Sequence, residues 1–294
     1  MRLLFVINPV SGPGQKNWQD IITTWFDGRT ETIDFFTLQK DFDNKALLKK
    51  AIEKFNPDRI VAAGGDGTVK MVAEVLIGTT VPLAIIAAGS ANGMAKELGL
   101  PLDHEKSLQL AVEGRPSPLD MIFINGEYCI HLSDIGLNAT MLKYFEQSDK
   151  RGFLGYAKAL LKMIGKRRFM RASIHVNNEL VQRNVVMIVI ANASKYGTGA
   201  VINPEGKTHD GLFELVIVRR LAFTELVKMW ITQRPFDPKK IEIIQCKRMR
   251  LTVTNPYPFQ VDGEYRGKQT LVDAVIEPSA IQVILPEPVK NAEQ

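Results

Sequence analysis

The first 120 residues alternate between two apolar patterns, with glycines at several of the joins. Short continuous apolar runs, "RLLFVINP", "DRIVAAG" and "VPLAIIAAG", read as buried strands. "ETIDFFT" reads as another strand. Between them lie segments with helical spacing. "NWQDIITTWF" places Trp18, Ile21, Ile22 and Trp25 on one face, and "ALLKKAIEKF" turns Leu47, Leu48, Ala51 and Phe55 inward before Asn56-Pro57 stops it. A further helix is predicted after Gly67, and another from "SANGMAKELG". Strict strand–helix alternation predicts a doubly wound, mostly parallel α/β sheet.

The pattern changes after Leu119. "LDMIFINGEYCIHL", "RASIHVNNELVQRNVVMIVIANA", "GLFELVIVRR", "KRMRLTVTN", "PFQVDGEYRG" and "DAVIEPSAIQVIL" are strand-like and rich in β-branched residues. Asn125-Gly126 and Asn177-Asn178 are hairpin signals. This half is expected to be a β-rich, largely antiparallel domain, interrupted by the helical "FLGYAKALLKMIG". The boundary is placed within "EGRPSPLD", giving domains at 1–119 and 120–294, with the last strand or tail free to return to the first. With 294 residues, two ordinary domains fit.

The stretch "AAGGDGTVKMV" joins a strand to a helix through Gly64, Gly65, Asp66 and Gly67. Glycines there let backbone N–H groups approach a phosphate, and a helix N-terminus favours an anion. Asp66 would repel phosphate unless it binds Mg²⁺ through water, or orients or deprotonates an attacking hydroxyl. An ordinary turn with an Asp near a helix start is the bland alternative. "NPVSGPGQK" offers a second loop, with Ser11, Gly12, Gly14 and the cation Lys16, though its spacing is not that of a Walker A loop. "AAGSANGMA" offers a third, with Gly89 and Asn92. Each could be a plain turn. Three at strand ends of one sheet point to one phosphate-binding edge. Lys16 and Lys96 are candidates to offset phosphate charge.

These residues resemble the diacylglycerol kinase catalytic domain family, which includes bacterial diacylglycerol kinases, YegS-like lipid kinases, sphingosine kinases and ceramide kinases. "INPVSG", "GGDGTVKMVAEVL", "GSANGMA", "DGLFEL" and "VDGE" carry the resemblance over nearly the whole chain. "GGDGT" alone also resembles NAD kinases and 6-phosphofructokinases. The resemblance implies ATP in a cleft between two domains. It assigns Asn8, Pro9 to Gly12, Thr37, Gly64 to Thr68 and Ser90 to the nucleotide. It gives Asp120 a part in organising the active centre. It places a structural Mg²⁺ on Asp210 with the carbonyls of Lys207 and Leu212, and makes Glu264 a proposed general base. Sphingosine kinases suggest the Asp66 position as base instead, so both carboxylates stay open. Plain hairpin turns would also account for "VDGE" and "HDG".

Many bacterial members read Gly-Thr-x-Asn-Asp where this chain has Gly89-Ser90-Ala91-Asn92-Gly93, so one acidic residue is replaced by Gly93. Sphingosine and ceramide kinases also lack it, which leans the substrate toward another lipid alcohol. Basic residues from Lys150 to Arg171 surround the apolar helical segment. That pattern fits either contact with an anionic membrane or a solvated basic face.

The net charge of +5 permits an anionic partner without choosing one. Cys129 and Cys246 show no metal or disulfide pattern, as in a reducing compartment. "MRLLFVINPV" is too short for a signal-peptide core, and no apolar run approaches the roughly 20 residues of a membrane span. The expectation is a cytoplasmic, ATP- and Mg²⁺-dependent lipid kinase that phosphorylates diacylglycerol or a related lipid alcohol such as a sphingoid base, ceramide or phosphatidylglycerol. It visits the inner face of the membrane, with no nucleic-acid partner and with a homodimer left open. Its rivals are an NAD kinase-like enzyme and a non-catalytic lipid or nucleotide sensor.

Overall fold

The computed structural model describes residues 1–12, 17–137, 139–140, 169–195, 201–219 and 241–287. The chain forms two compact units, residues 1–119 with 279–294, and residues 120–278.

Unit 1 begins β1 (Arg2–Ile7), α1 (Trp18–Phe26), β2 (Thr32–Thr37), α2 (Asn44–Phe55), β3 (Arg59–Gly64), α3 (Asp66–Leu76) and β4 (Leu83–Ala87). Then come α4 (Gly93–Glu97) and α5 (His104–Glu113). The four strands are parallel, in the order β2-β1-β3-β4. β1, β3 and β4 are buried along almost their whole length, as strands covered on both faces must be. Leu3, Phe5 and Ile7 pack with Val61, Ala63 and Ile86 from the sheet, Trp18, Ile22 and Phe26 from α1, and Leu108 and Ala111 from α5. α1 thus buries a Trp18–Ile22–Phe26 stripe, with Ile21 and Trp25 at its margin. In α2 only Leu48 is fully buried, and Asn56 ends the helix in the left-handed region at φ 50°. Two expectations are corrected. α3 starts at Asp66 rather than after Gly67, because Gly65 already serves as its N-cap. α5 has no counterpart among the helices expected from sequence, although Asp103 caps it by accepting from the Lys106 amide.

Unit 2 opens within a strand. β5 (Arg115–Ile124) runs straight through the Pro-containing "RPSPLD", which by composition reads as a linker. Pro116 and Pro118 lie on its exposed half. β6 (Glu127–Cys129), β7 (Leu132–Gly136), β8 (Met170–Val176), β9 (Glu179–Val185) and β10 (Met187–Ala191) follow. Next are β11 (Phe213–Val218), β12 (Ile241–Cys246), β13 (Arg248–Val261) and β14 (Glu264–Leu285). β12, β11, β10, β7, β13 and β14 are neighbours in that order, each pairing antiparallel. β13 also carries β8, which carries β9. β13 serves several neighbours because its register shifts between Thr252 and Tyr257 and again between Pro258 and Gln260. Ile122, Ile135, Ile174, Ile190, Leu215 and Phe259 are among the residues of its main core.

Three tight turns, Asn125-Gly126, Asn177-Asn178 and Asp262-Gly263, have positive φ at both central residues and close two-residue hairpins. β14 leaves unit 2 after Pro278, and Ser279 at φ 50° marks the change. Its final stretch pairs parallel with β4 in unit 1 through Val283 and Leu83. No helix among the described residues is long and apolar enough to cross a membrane.

Candidate active site

The strand order of unit 1 fixes where a ligand fits. From β1 the chain moves to β2 on one side, then crosses back to β3 on the other. The carboxyl ends of β1 and β3 therefore flank a topological switch point, where open α/β sheets bind ligands. The loop after β1 carries Asn8 to Gly12, and the loop after β3 carries Gly65. The loop after β4, from Gly89 to Asn92, lies beside them.

These loops meet through bare backbone. A Cβ on Gly89 would sit 2.4 Å from the Gly65 Cα, and one on Gly12 would sit 2.5 Å from the Ala88 carbonyl oxygen. Gly12 also has φ +81°, which a side chain would strain. A Cβ on Gly64 would collide with the Thr68 side chain. Side chains then tie the loops together. Asn8 Nδ2 donates to Thr68 Oγ1 at 3.2 Å, and Asn8 Oδ1 accepts from the Val10 amide. Asn92, at φ 51°, closes its own loop by accepting from the Gly89 amide at 2.8 Å and donating back to the Gly89 carbonyl. Asp66 Oδ1 accepts from the Met94 amide at 3.1 Å, linking the start of α3 to the start of α4. Gly65 makes no side-chain cap, and the Thr68 amide turns back to the Gly65 carbonyl at 2.9 Å, so the amides of Asp66 and Gly67 are the ones left available to an anion.

Ser11 is half-buried, while Pro9, Gly67, Ser90 and Lys96 are exposed around this cluster. Thr37 ends β2, where its hydroxyl accepts from Gln19 at 3.4 Å. Lys16 lies outside the described residues, as does the basic segment from 150 to 168.

Unit 2 holds the other predicted carboxylates in two places. Asp120, in β5, is buried. Its amide donates to the Thr208 carbonyl at 2.8 Å, and its Oδ2 accepts from the Gly211 amide at 2.7 Å. Asp210, exposed on the same turn, accepts from the Leu212 amide through Oδ1 at 3.1 Å. Asp120 and Asp210 thus take the consecutive amides of Gly211 and Leu212. With the carbonyls of Lys207 and Leu212 nearby in sequence, this turn offers hard oxygen donors of the kind Mg²⁺ takes.

Glu264 starts β14 just after the Asp262-Gly263 turn. Its carboxylate pairs with Arg266 at 2.6 Å and is otherwise exposed. Arg266 also forks onto Glu127, at 2.7 and 3.0 Å. Both carboxylates raise its pKa, Glu127 more strongly.

Sequence reasoning missed the residues that hold these places. Asp262 accepts from the amides of Ile130 and His131 and from Cys129 Sγ. Asn192 Nδ2 donates to the carbonyls of Asp120, at 2.8 Å, and Ile130, at 3.0 Å. The Asp120 strand and the turn before Glu264 are therefore braced through one short segment, Ile130–His131. Gln260 extends the brace, accepting from the Gly263 amide and donating to Asp134. "VDGE" offers a signal for Asp262. Asn192, Gln260 and Arg266 are scattered single polar residues with none.

Comparison with known proteins agrees with this architecture. Residues 2–124 match the diacylglycerol kinase catalytic domain, and residues 134–285 match the YegS C-terminal NAD kinase beta sandwich-like domain. The chain is 26% identical over 277 residues to a diacylglycerol kinase of Bacillus subtilis (strain 168), covering 90% of each. It is 30% identical over 239 residues to a probable YegS-like lipid kinase of Yersinia pestis (strain Pestoides F), covering 77% of this chain and 78% of that one. A crystal structure of a putative diacylglycerol kinase from Bacillus anthracis str. Sterne superposes with a TM-score of 0.78 over 97% of both chains, at 20% identity.

Proposed function

The chain belongs to the diacylglycerol kinase and YegS-like family of lipid kinases, and on that premise we propose that it transfers the γ-phosphoryl group of ATP to a hydroxyl of a membrane lipid. Diacylglycerol or a related lipid alcohol is the substrate. The observation that carries the reading is the interlocked set of three glycine loops at the β1/β3 switch point, with Asp66 reaching across two of them.

In this reading the bare amides of Gly65 and Gly67 face the ATP phosphates, Gly89 lets the third loop come close to them, and the N-terminus of α3 favours their charge. Asn8, Pro9, Ser11, Gly12, Thr37, Thr68, Ser90 and Asn92 frame the nucleotide. Lys16 and Lys96 offset phosphate charge. Asp66, whose Oδ1 accepts from the Met94 amide, would hold Mg²⁺ through its other carboxylate oxygen, and that ion would supply neutralisation of phosphate charge. Asp120 holds the 207–212 turn, where Asp210 with the Lys207 and Leu212 carbonyls is the place for a structural Mg²⁺. Glu264 takes the proton of the lipid hydroxyl as its oxygen bonds to the γ-phosphorus. The bond to the bridging oxygen breaks, and its electron pair leaves with ADP. The basic segment 150–171 is assigned to contact with the anionic inner face of the membrane.

The test is transfer of labelled γ-phosphate in mixed micelles containing diacylglycerol, monoacylglycerol, phosphatidylglycerol, sphingosine or ceramide, with NAD as a soluble control. Asp66→Asn is the variant of choice, because an amide oxygen still accepts from Met94 while the charge is lost. A labelled lipid whose formation falls by about 10²–10⁴-fold in Asp66→Asn is expected. Label in NAD alone would replace the lipid reading with that of an NAD kinase. Bound ATP without label anywhere would replace it with that of a sensor.

A further inference from the structure

By sequence Arg266 is only one more residue of a hairpin, yet its guanidinium meets two carboxylates. Nε and Nη2 hold Glu127 of β6 in a fork, and Nη2 also donates to Glu264 Oε2. The three side chains are unequal in setting. Glu127 and Arg266 are about one-third exposed, whereas Glu264 is 56% exposed. The fork thus goes to the more sheltered carboxylate. The outer carboxylate is held by one oxygen only. Among the described residues Glu264 Oε1 has no partner.

The backbone beneath this pair is fixed separately. Asp262 is pinned by the amides of Ile130 and His131, and the Gly263 amide is taken by Gln260. The turn thus sets where the Glu264 Cα lies. It does not set where a long, exposed glutamate side chain points. A glutamate free to sample its rotamers spends little time in one orientation, and reacting groups need an alignment of a few tenths of an ångström. A planar guanidinium already forked onto Glu127 supplies a fixed donor for that purpose.

We propose that Arg266 is a positioning residue for the transfer reaction. Anchored on Glu127, it holds Glu264 by Oε2 and leaves Oε1 to accept the proton of the lipid hydroxyl. The inference rests on Glu264 as the base, so the experiment separates the two claims. Steady-state transfer to diacylglycerol in mixed micelles is measured for wild type, Glu264→Gln, Arg266→Met, Arg266→Lys, Glu127→Gln and the double variant Arg266→Met/Glu264→Gln. ATP affinity and thermal melting are measured for each.

Glu264→Gln lowering kcat by about 10²-fold or more upholds the base. If its kcat matches wild type, the base reading fails, and the role given to Arg266 fails with it. With the base upheld, Arg266→Met is expected to lower kcat at least about tenfold with ATP affinity unchanged, since the base is present but misaligned. Arg266→Lys recovers part of that loss by restoring a donor. Glu127→Gln weakens kcat in the same direction while leaving the charge at 266 in place. The double variant is no slower than Glu264→Gln, because a positioning residue has nothing left to position.

Additive losses in the double variant would overturn the proposal. So would a kcat for Arg266→Met equal to wild type beside a damaged Glu264→Gln. A rise in the KM for lipid at constant kcat would also overturn it, assigning Arg266 to lipid binding instead. If Arg266→Met fails to fold, Glu127→Gln and Arg266→Lys carry the same comparison.

Discussion

Glu214 is a fully buried carboxylate in β11. Asn203 Nδ2 donates to it at 2.6 Å and Gln245 Nε2 at 3.1 Å. Burial pushes its pKa up, and the charges of Asp210 and Glu205 add to that, while the two amide donors pull it partly back. A carboxyl whose folded pKa lies above its unfolded one holds an extra proton in the native state. Its contribution is fully present below the unfolded value and is lost as pH rises through the folded value. Glu214→Gln should therefore raise the melting temperature at mildly alkaline pH. The gain should vanish below the ordinary glutamate range, at about 4.3. The site can accept the substituted amide. Asn203 Oδ1 is buried without a hydrogen-bond partner among the described residues, and a flipped Asn203 would turn that oxygen toward the new NH₂ group. Melting curves of both proteins across that pH range decide the matter. A difference that does not change with pH would mean the carboxyl does not titrate on unfolding.

At the scale of elements, β9 and β12 are edge strands of their ladders, and one ion-pair group joins them. Arg183 of β9 forks onto Glu242 of β12 at 2.9 Å through Nε and Nη2, and Arg219 adds a third contact. The bond from Arg183 is the main cause that lowers the Glu242 pKa, with Arg219 assisting. A depressed carboxylate stabilises above its unfolded pKa, and that stability is lost as pH falls through the folded one. Arg183→Met should cost about 1 kcal/mol at neutral pH. The cost should shrink in acid, which urea melts at both pH values would show. An equal cost at both would make it packing of the arginine stem.

The same elements show what the sequence could reveal. The glycine loops and the Asn-Gly and Asn-Asn turns were legible because a positive φ or a close backbone approach admits few residue types. β7, β12 and the unbroken length of β13 and β14 were not. Pro256 and Pro258 look like breaks, and only the irregular register of β13 accommodates them. In the site, phosphate loops are contiguous in sequence and can be read. The ties from Arg266 to Glu127 and from Asp262 to Ile130 join residues 139 and 132 positions apart. No local pattern encodes them.

At the scale of the molecule, unit 1 is built from both ends of the described chain. Ile281, Val283 and Ile284 are buried, and Ile284 belongs to the core that contains Phe5, Trp18 and Ile86. Gly114 shows how closely this strand is fitted, since a Cβ there would lie 2.5 Å from Ile284 Cγ2. β4 would lose its partner on that side without it. The first 119 residues therefore carry the glycine loops without the whole of the core beneath them. Contacts this far apart in the chain form late and are costly to close, so the returning strand should control the stability of the unit. Ile284→Ala should cost about 2–5 kcal/mol through lost burial and the cavity left behind. Trp18 and Trp25 lie in α1, so in a Trp230→Phe background urea unfolding followed by tryptophan fluorescence reports on this unit. The transition should move to lower urea in Ile284→Ala, and a chain ending at Pro278 should lack the cooperative transition. If that truncated chain unfolds at the wild-type midpoint, residues 1–119 are a self-sufficient domain and the last strand is an accessory.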